Sequence, residues 1–188
     1  MLDLVLKKYS NAVRLTVKGA VAIVLVALAV GLPQIAHIAG GAAAGAKWMP
    51  MYLPVLLAGC LLGWHWGLGI GILSPIISYG FTTLALSSAM PTLARLPYMA
   101  LELAAFGGVS GAFCKLIEKN SLFAFPAVLS AQVAGRAVYL IYNLIAGKGF
   151  AELWQSVETG LAGLYLQAVL VPVAVIVVAA CIKRSKQQ

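Results

Sequence analysis

Charged side chains are scarce in this chain, and acidic ones are the scarcest. Asp, Glu, Lys and Arg make up 10% of the 188 residues, with 5 acidic residues against 13 basic ones. A soluble domain carries about a quarter charged residues, so the composition excludes an ordinary water-soluble domain. The chain is 62% hydrophobic with a mean hydropathy of +0.98. We therefore predict an integral membrane protein in which residues 1–188 form one domain.

The residue patterns of common enzymes and metal sites are also missing from the sequence. It contains no G-x-x-x-x-G-K-[ST], no H-E-x-x-H and no G-x-S-x-G. The three cysteines show no metal-binding spacing, and the two histidines, His37 and His65, fall on opposite membrane sides in the topology derived below. We expect no metal, no cofactor and no enzymatic activity.

Six apolar blocks are long enough, or nearly so, to cross a bilayer as helices. A span needs about 20 residues, although packed bundles accept shorter ones. The second block is short and contains Pro50 and Pro54, which favours a tilted or partly buried helix. The blocks are residues 13–32, 49–62, 67–86, 96–116, 122–146 and 157–182. This pattern predicts an all-α bundle of six transmembrane helices.

Basic residues are unevenly distributed around these blocks. In a six-span protein both termini lie on one side, which here holds nine basic residues, at positions 7, 8, 14, 18, 115, 119, 183, 184 and 186. The opposite side holds Lys47, Arg95 and Lys148. Since positive charge marks the cytoplasmic side, both termini are predicted to be cytoplasmic. The scattered cations form no basic face, so the net charge of +8 does not indicate nucleic-acid binding.

The predicted outer connections, residues 33–48, 87–95 and 147–156, are longer than the inner ones and contain Gly, Pro and Ser. Long outer loops favour entry and covering of a ligand from outside. His37 lies in the first of them. It is either a hydrogen-bonded structural residue or a ligand contact.

A polar stripe runs along the fifth predicted span. Gln132, Arg136, Tyr139 and Asn143 follow the spacing i, i+4, i+7 and i+11, which places them on one helix face. An arginine at bilayer depth costs from about 2.5 to more than 10 kcal/mol, so it must pair or line a cavity. Glu102, the one acidic residue well inside a predicted span, is the available partner. The stripe is either the wall of a polar pocket or a pairing site that holds helices together.

Two neighbouring spans carry weaker stripes. Arg95, Tyr98 and Glu102 follow i, i+3 and i+7 on the fourth span, where an interfacial anchor is the alternative interpretation. The third span carries Ser74, Ser78 and Thr82 at i, i+4 and i+8. Hydroxyls in membrane helices often bond back to their own backbone, which is the alternative for these three.

Several segments resemble the substrate-binding S components of energy-coupling factor (ECF) vitamin transporters. They occur in order between about residues 30 and 143, and the ordered set is more specific than any one piece. The segments are Leu-Pro-Gln-Ile-Ala-His-Ile-Ala-Gly-Gly at 32–41, Met-Pro-Met-Tyr-Leu-Pro-Val-Leu-Leu-Ala-Gly at 49–59, Leu-Ser-Pro-Ile-Ile-Ser at 73–78, Met-Pro at 90–91, Leu-Pro-Tyr-Met-Ala-Leu-Glu-Leu-Ala-Ala-Phe-Gly at 96–107 and Gly-Arg at 135–136.

The resemblance implies six helices with cytoplasmic termini in a bacterial plasma membrane. It also implies capture of a vitamin or its precursor under the first and third outer loops. Delivery then follows by docking and toppling on a separate transmembrane coupling subunit with two ATPases. The segments resemble the pantothenate subgroup most, with cobalamin binders and thiamin-precursor binders as the alternatives. The candidate substrate-binding residues are His37, Tyr52, Ser78, Tyr98, Glu102, Gln132, Arg136, Tyr139 and Asn143.

One family feature is only approximated. S components often carry an Ala-x-x-x-Ala face on the first span for the coupling subunit, and this chain has Ala12, Thr16 and Ala20 instead. Small residues at this spacing still permit close helix approach. Two other functions stay open at this stage, a purely structural membrane subunit and an intramembrane lipid enzyme that uses Glu102 as acid or base.

Overall fold

The computed structural model describes residues 10–85 and 91–185, and all regular secondary structure in these residues is helical. A short 3-10 turn, Ser121–Phe123, precedes the sixth helix. The α-helices are α1 (Asn11–Trp48), α2 (Tyr52–Leu62), α3 (Trp64–Ala85), α4 (Leu96–Ala112), α5 (Cys114–Lys119), α6 (Ala124–Ile145) and α7 (Phe150–Ser185).

Five stretches of the described chain are long and apolar enough to cross a membrane. They are Asn11–Gly41, Ala43–Leu62, Trp64–Leu84, Ser121–Ile145 and Phe150–Ile182. Large apolar side chains on them are exposed, for example Ile23 at 72% and Leu84 at 89%. Helices satisfy their own backbone hydrogen bonds and can face lipid with such side chains. The protein is an all-α membrane protein.

The fourth predicted span is shorter than expected. Its helix, α4, has 17 residues and ends at Ala112, where the prediction extended to residue 116. Phe113 separates it from α5, a short helix of 6 residues. A 17-residue helix is at the lower limit of what spans a bilayer, since about 20 residues are typical.

The first predicted outer connection, residues 33–48, is helical and not a loop. α1 continues to Trp48 with a kink at Gly40 and Gly41. Gly41 has φ +67° and ψ −167°, a conformation that is almost restricted to glycine. The third connection is also shorter than predicted, because α7 begins at Phe150.

Some predictions fall outside the described residues. Positions 87–90 of the second outer connection are among them, as are Lys7, Lys8 and Lys186 of the charge pattern.

α4 is the central helix and packs against α2, α3 and α6. Its contact with α3 is made by backbone. A Cβ added to Gly67 would overlap the carbonyl of Gly107, and one added to Gly71 would overlap the carbonyl of Leu103. Without side chains at these positions the two helix axes come unusually close. This contact fixes the depth of α4, and with it the position of Glu102.

The turn between α1 and α2 is held against α7. Gln167 Nε2 donates hydrogen bonds to the carbonyl of Met49 at 3.0 Å and to that of Trp48 at 3.4 Å. A Cβ on Gly163 would lie 2.6 Å from the Trp48 carbonyl oxygen, so α7 also approaches this turn by backbone. The end of the segment after the kink is therefore anchored to α7 by side-chain hydrogen bonds and by close backbone packing.

Candidate functional site

A cavity of about 680 Å³ lies where α1, the α1–α2 turn, the first residue of α2, α3, α4, α6 and the start of α7 converge. Ligand pockets in proteins have volumes of about 300–1,000 Å³. Seven of the nine predicted site residues line it, namely His37, Tyr52, Ser78, Tyr98, Glu102, Arg136 and Tyr139. The structure therefore brings together residues that lie up to about a hundred positions apart in the chain, as the residue numbers show.

The centre of the cavity wall is an ion pair. Arg136 Nη1 on α6 lies 2.9 Å from Glu102 Oε1 on α4, and the Tyr52 hydroxyl donates a 2.7 Å hydrogen bond to Glu102 Oε2. The guanidinium also lies over the rings of Tyr52 and Tyr139, at 5.6 and 5.8 Å from their centroids. The pairing that the sequence left open is thus present. It compensates the charge of the arginine at bilayer depth.

The ion pair leaves part of Arg136 accessible from the cavity. The arginine side chain is 12% exposed, whereas that of Glu102 is 2% exposed. Arg136 is therefore the more accessible member of the pair, and Glu102 is the more deeply buried one.

Two members of the polar stripe do not line the cavity. Gln132 is buried and donates a 2.8 Å hydrogen bond to the carbonyl of Leu164 on α7. Asn143 is fully buried, and its Nδ2 donates to the carbonyl of Tyr139 at 2.8 Å. The four side chains share one buried face of α6, since Gln132, Tyr139 and Asn143 are buried and the Arg136 side chain is 12% exposed. Gln132 and Asn143, predicted to bind substrate, instead make bonds within the helix packing.

The hydroxyl stripe on α3 follows its alternative interpretation in part. Ser74 Oγ donates to the carbonyl of Ile70 at 2.7 Å, and Thr82 Oγ1 donates to that of Ser78 at 2.8 Å. Both are ordinary back-bonds of a membrane helix. Ser78 lies between these two residues in the sequence. It is buried, and it is the member of the stripe that lines the cavity.

The kink in α1 brings His37 to the cavity. A Cβ on Gly45 would lie 2.8 Å from His37 Nε2, so the helix segments on either side of the kink fold toward each other. His37 Nδ1 and the nearby Gln34 Nε2 are buried and find no hydrogen-bond partner in the described part of the chain. Both residues line the cavity, which concentrates unsatisfied polar groups on this wall.

The mouth of the cavity carries exposed charges. Arg95 precedes α4, and Lys148 lies between α6 and α7, with its Nζ 4.9 Å from the ring centroid of Tyr98. Tyr98 in turn packs edge-on against Tyr139, with centroids 5.5 Å apart. Glu152 on α7 also lines the cavity.

Sequence reasoning missed the wall contributed by α7. Glu152, Ser156 and Thr159 all line the cavity and follow the helical spacing i, i+4 and i+7. That spacing was available, but residues 147–156 were predicted to be a connection because they lie between two apolar blocks and contain Gly and Ser. Gln34 and Met49 were also missed, since an amide beside a proline and a methionine in an apolar chain carry no distinctive signal.

The predicted contact residues for a partner lie on α1. Ala12, Thr16 and Ala20 are exposed, and Thr16 Oγ1 donates to the carbonyl of Ala12 at 3.0 Å. They share one helix face that the rest of the described chain does not cover. No group of three or more His, Cys, Asp or Glu side chains that could hold a metal occurs among the described residues.

Comparisons of the chain with protein-family models, curated proteins and solved structures find no match. The fold and the site define the class by themselves, an all-α membrane protein with a polar cavity built around an arginine–glutamate pair.

Proposed function

We propose that this protein is the substrate-binding S component of an ECF-type importer, and that it captures a small water-soluble vitamin or vitamin precursor. One observation carries the proposal. The cavity of about 680 Å³ collects polar and aromatic residues from six helices of a chain that is otherwise apolar. Burying polar groups in a membrane protein is costly and typically marks a binding or transport function.

The proposed topology has six spans, with α4 as the fourth, and both termini in the cytoplasm of a bacterial cell. The charge distribution supports it. In this orientation the cavity faces outside, because it lies at the end of the bundle that holds the α1–α2 turn, Arg95 and Lys148.

The proposed partners are a transmembrane coupling subunit and two ATPases. The sequence holds no phosphate-binding loop, so the proposal assigns ATP hydrolysis to separate chains. The exposed face of Ala12, Thr16 and Ala20 is the proposed contact with the coupling subunit, since small side chains let helix backbones approach closely.

For the substrate we propose pantothenate, with a thiamin precursor as the next candidate. Both are small enough for a cavity of about 680 Å³. Cobalamin is several times larger and would have to protrude from it. The tyrosine rings of Tyr98 and Tyr139 supply apolar surface, while Arg136 and Ser78 supply polar contacts.

Ligand binding to purified protein tests the proposal. We expect one of pantothenate, the thiamin pyrimidine precursor or cobalamin to raise the thermal unfolding temperature in detergent, since a ligand at about 1,000 times its Kd stabilises by about 4 kcal/mol. Tyr98→Ala, in the cavity, should abolish the shift. Tyr165→Ala is the matched control, because Tyr165 is 72% exposed on α7 and does not line the cavity.

Two results would contradict the proposal. The first is that no vitamin binds, which is what a purely structural subunit predicts. The second is binding that is equal in wild type and Tyr98→Ala. The contacts of Glu102 argue against the lipid-enzyme alternative, because its carboxylate is buried and engaged by both Tyr52 and Arg136.

A further inference from the structure

The Arg136 guanidinium can donate hydrogen bonds along two edges, and the two edges have different partners in the structure. Nη1 faces the carboxylate of Glu102. The other edge is formed by Nε and Nη2, whose N–H bonds are parallel. On this edge the sulfur of Met49 lies in contact with Nη2, and Nε is buried without a hydrogen-bond partner in the described part of the chain.

The edge formed by Nε and Nη2 is the one best suited to an oxyanion. A carboxylate binds such an edge through two parallel N–H···O bonds. A thioether is a weak acceptor and offers one sulfur for two donors. Arg136 therefore has its strongest anion-binding edge covered by a poor acceptor.

The backbone of Met49 is in an unusual conformation. It has φ +44° and ψ +55° at the end of α1, the left-handed region that non-glycine residues rarely adopt. Such a conformation costs about 1–3 kcal/mol and persists only where the surroundings impose it. The hydrogen bonds from Gln167 to the carbonyls of Trp48 and Met49 are part of those surroundings.

The end of the Met49 side chain fits against a glycine of α7. A Cβ on Gly160 would lie 2.6 Å from Met49 Cε and 3.6 Å from Arg136 Nη2. The space beside the guanidinium is therefore shaped by the absence of a side chain at Gly160. Methionine has three rotatable side-chain bonds, so the thioether can leave this position without any change of the backbone.

The charge of the cavity also fits an anion. Among the described residues, its lining contains three cations, Arg95, Arg136 and Lys148, and two carboxylates, Glu102 and Glu152. Counted over the Arg, Lys and Glu side chains of the lining, one positive charge is in excess, which a monoanion neutralises. A phosphate ester with two charges would leave the site negative.

We propose that Met49 is a displaceable occupant of a carboxylate subsite on Arg136. The carboxylate of the substrate binds Nε and Nη2 and replaces the thioether, while Glu102, itself hydrogen-bonded by Tyr52, stays paired with Nη1. The substrate class is thus a monocarboxylate, with the charged group at the inner wall of the cavity. This inference rests on the proposed function and specifies it further.

Methyl NMR of the full-length protein in detergent tests the displacement directly. The chain has 5 methionines, and ¹³C-methyl labelling gives one signal for each, with Met49 assigned through Met49→Leu. We expect propionate to move the Met49 signal and propionamide to leave it unchanged. Likewise, pantothenate should move the Met49 signal, and its alcohol analogue panthenol should leave it unchanged. A Met49 signal that ignores both acids overturns the inference.

Affinities for matched ligand pairs give an independent readout. Pantothenate against panthenol and nicotinate against nicotinamide differ mainly in the carboxylate. We expect the acid that binds to do so at least about tenfold more tightly than its neutral partner, from the charge-assisted bonds to Arg136. Arg136→Lys should remove most of this preference, because an ammonium cannot form the two parallel bonds.

Truncation of Met49 separates this inference from the proposed function. Met49→Ala should tighten binding of the acid several-fold and change the neutral partner little. Met99→Ala, another methionine of the cavity lining, should affect both partners alike. Equal binding of acid and neutral partner would overturn the subsite but leave the proposed function intact. Failure of every vitamin to bind, with the propionate response of Met49 preserved, would overturn the proposed function alone.

Discussion

The hydroxyl of Tyr52 donates a 2.7 Å hydrogen bond to Oε2 of Glu102, and so joins α2 to α4 through the carboxylate that also pairs with Arg136 on α6. The Tyr52 ring packs edge-on against Phe106, with centroids 4.9 Å apart. A Cβ on Gly135 would overlap the ring of Phe106. Three helices therefore meet at one buried carboxylate, and the geometry of Arg136 depends on all of them.

Removal of the Tyr52 hydroxyl should weaken this junction. Tyr52→Phe keeps the ring contact with Phe106 but deprives Glu102 of a hydrogen bond, which costs about 1.5–3 kcal/mol for a charged acceptor. We expect a lower thermal unfolding temperature in detergent. Tyr165→Phe, on an exposed ring, should have no effect. Equal melting of the two variants would show that the bond contributes nothing to stability.

Single substitutions in the ion pair should be more damaging than a double one. Glu102→Gln leaves a buried cation without its counter-charge, and loss of one partner of a buried pair costs about 3–5 kcal/mol. Arg136→Gln leaves the buried carboxylate of Glu102 without its counter-charge. We expect Glu102→Gln/Arg136→Gln to be more stable than the sum of the single effects predicts. Strict additivity in the unfolding free energies would argue against a direct interaction.

The α3–α4 contact should reject even a methyl group. Gly67→Ala places a Cβ onto the carbonyl of Gly107, and neither backbone can yield without moving a helix. Overpacking of this kind costs about 1–3 kcal/mol or more. Gly69→Ala on the same helix is the control, because nothing lies within 4 Å of its added Cβ. Stability of the folded protein, followed by gel filtration after heating, should fall for the first and be retained for the second.

The kink in α1 should depend on Gly41. Gly41→Ala forces a side chain into φ +67° and ψ −167°, at a cost of about 1–3 kcal/mol. Because the kink brings His37 toward Gly45 and the cavity, ligand affinity should fall together with stability. Gly31→Ala, with open space at its Cβ, is the matched change in the same helix. Unchanged affinity in Gly41→Ala would separate the kink from the site.

The parts of the site that could be predicted are the charged residues, because burying a charge within an apolar helix costs much free energy unless it is paired. An arginine and a glutamate within apolar helices have few available partners, so the sequence could name Glu102 as a partner for Arg136 but left open whether the two pair or Arg136 meets a ligand. Periodicity also gave the buried face of α6 correctly. Periodicity could not tell which residues of this face contact another helix and which line the cavity. Gln132 contacts α7, whereas Arg136 lines the cavity.

The helical stretch after Pro33 was not predictable from the same rules. Proline and paired glycines are typical of loops, yet the alanine-rich residues 43–46 favour helix. The tertiary contact with α7, through Gln167 and the carbonyl of Met49, then holds the segment in place. A contact between positions 118 residues apart leaves no trace in a local pattern.

The backbone contact of Gly67 with Gly107 has a consequence for how the sequence can diverge. Each glycine excludes a side chain on the other, since a Cβ at either position would overlap the carbonyl of its partner. A substitution at one position therefore cannot be compensated at the other, unlike a large-for-small exchange in an ordinary core. We expect homologous proteins to retain glycine at both positions, even where the residues of the cavity have changed to suit another ligand.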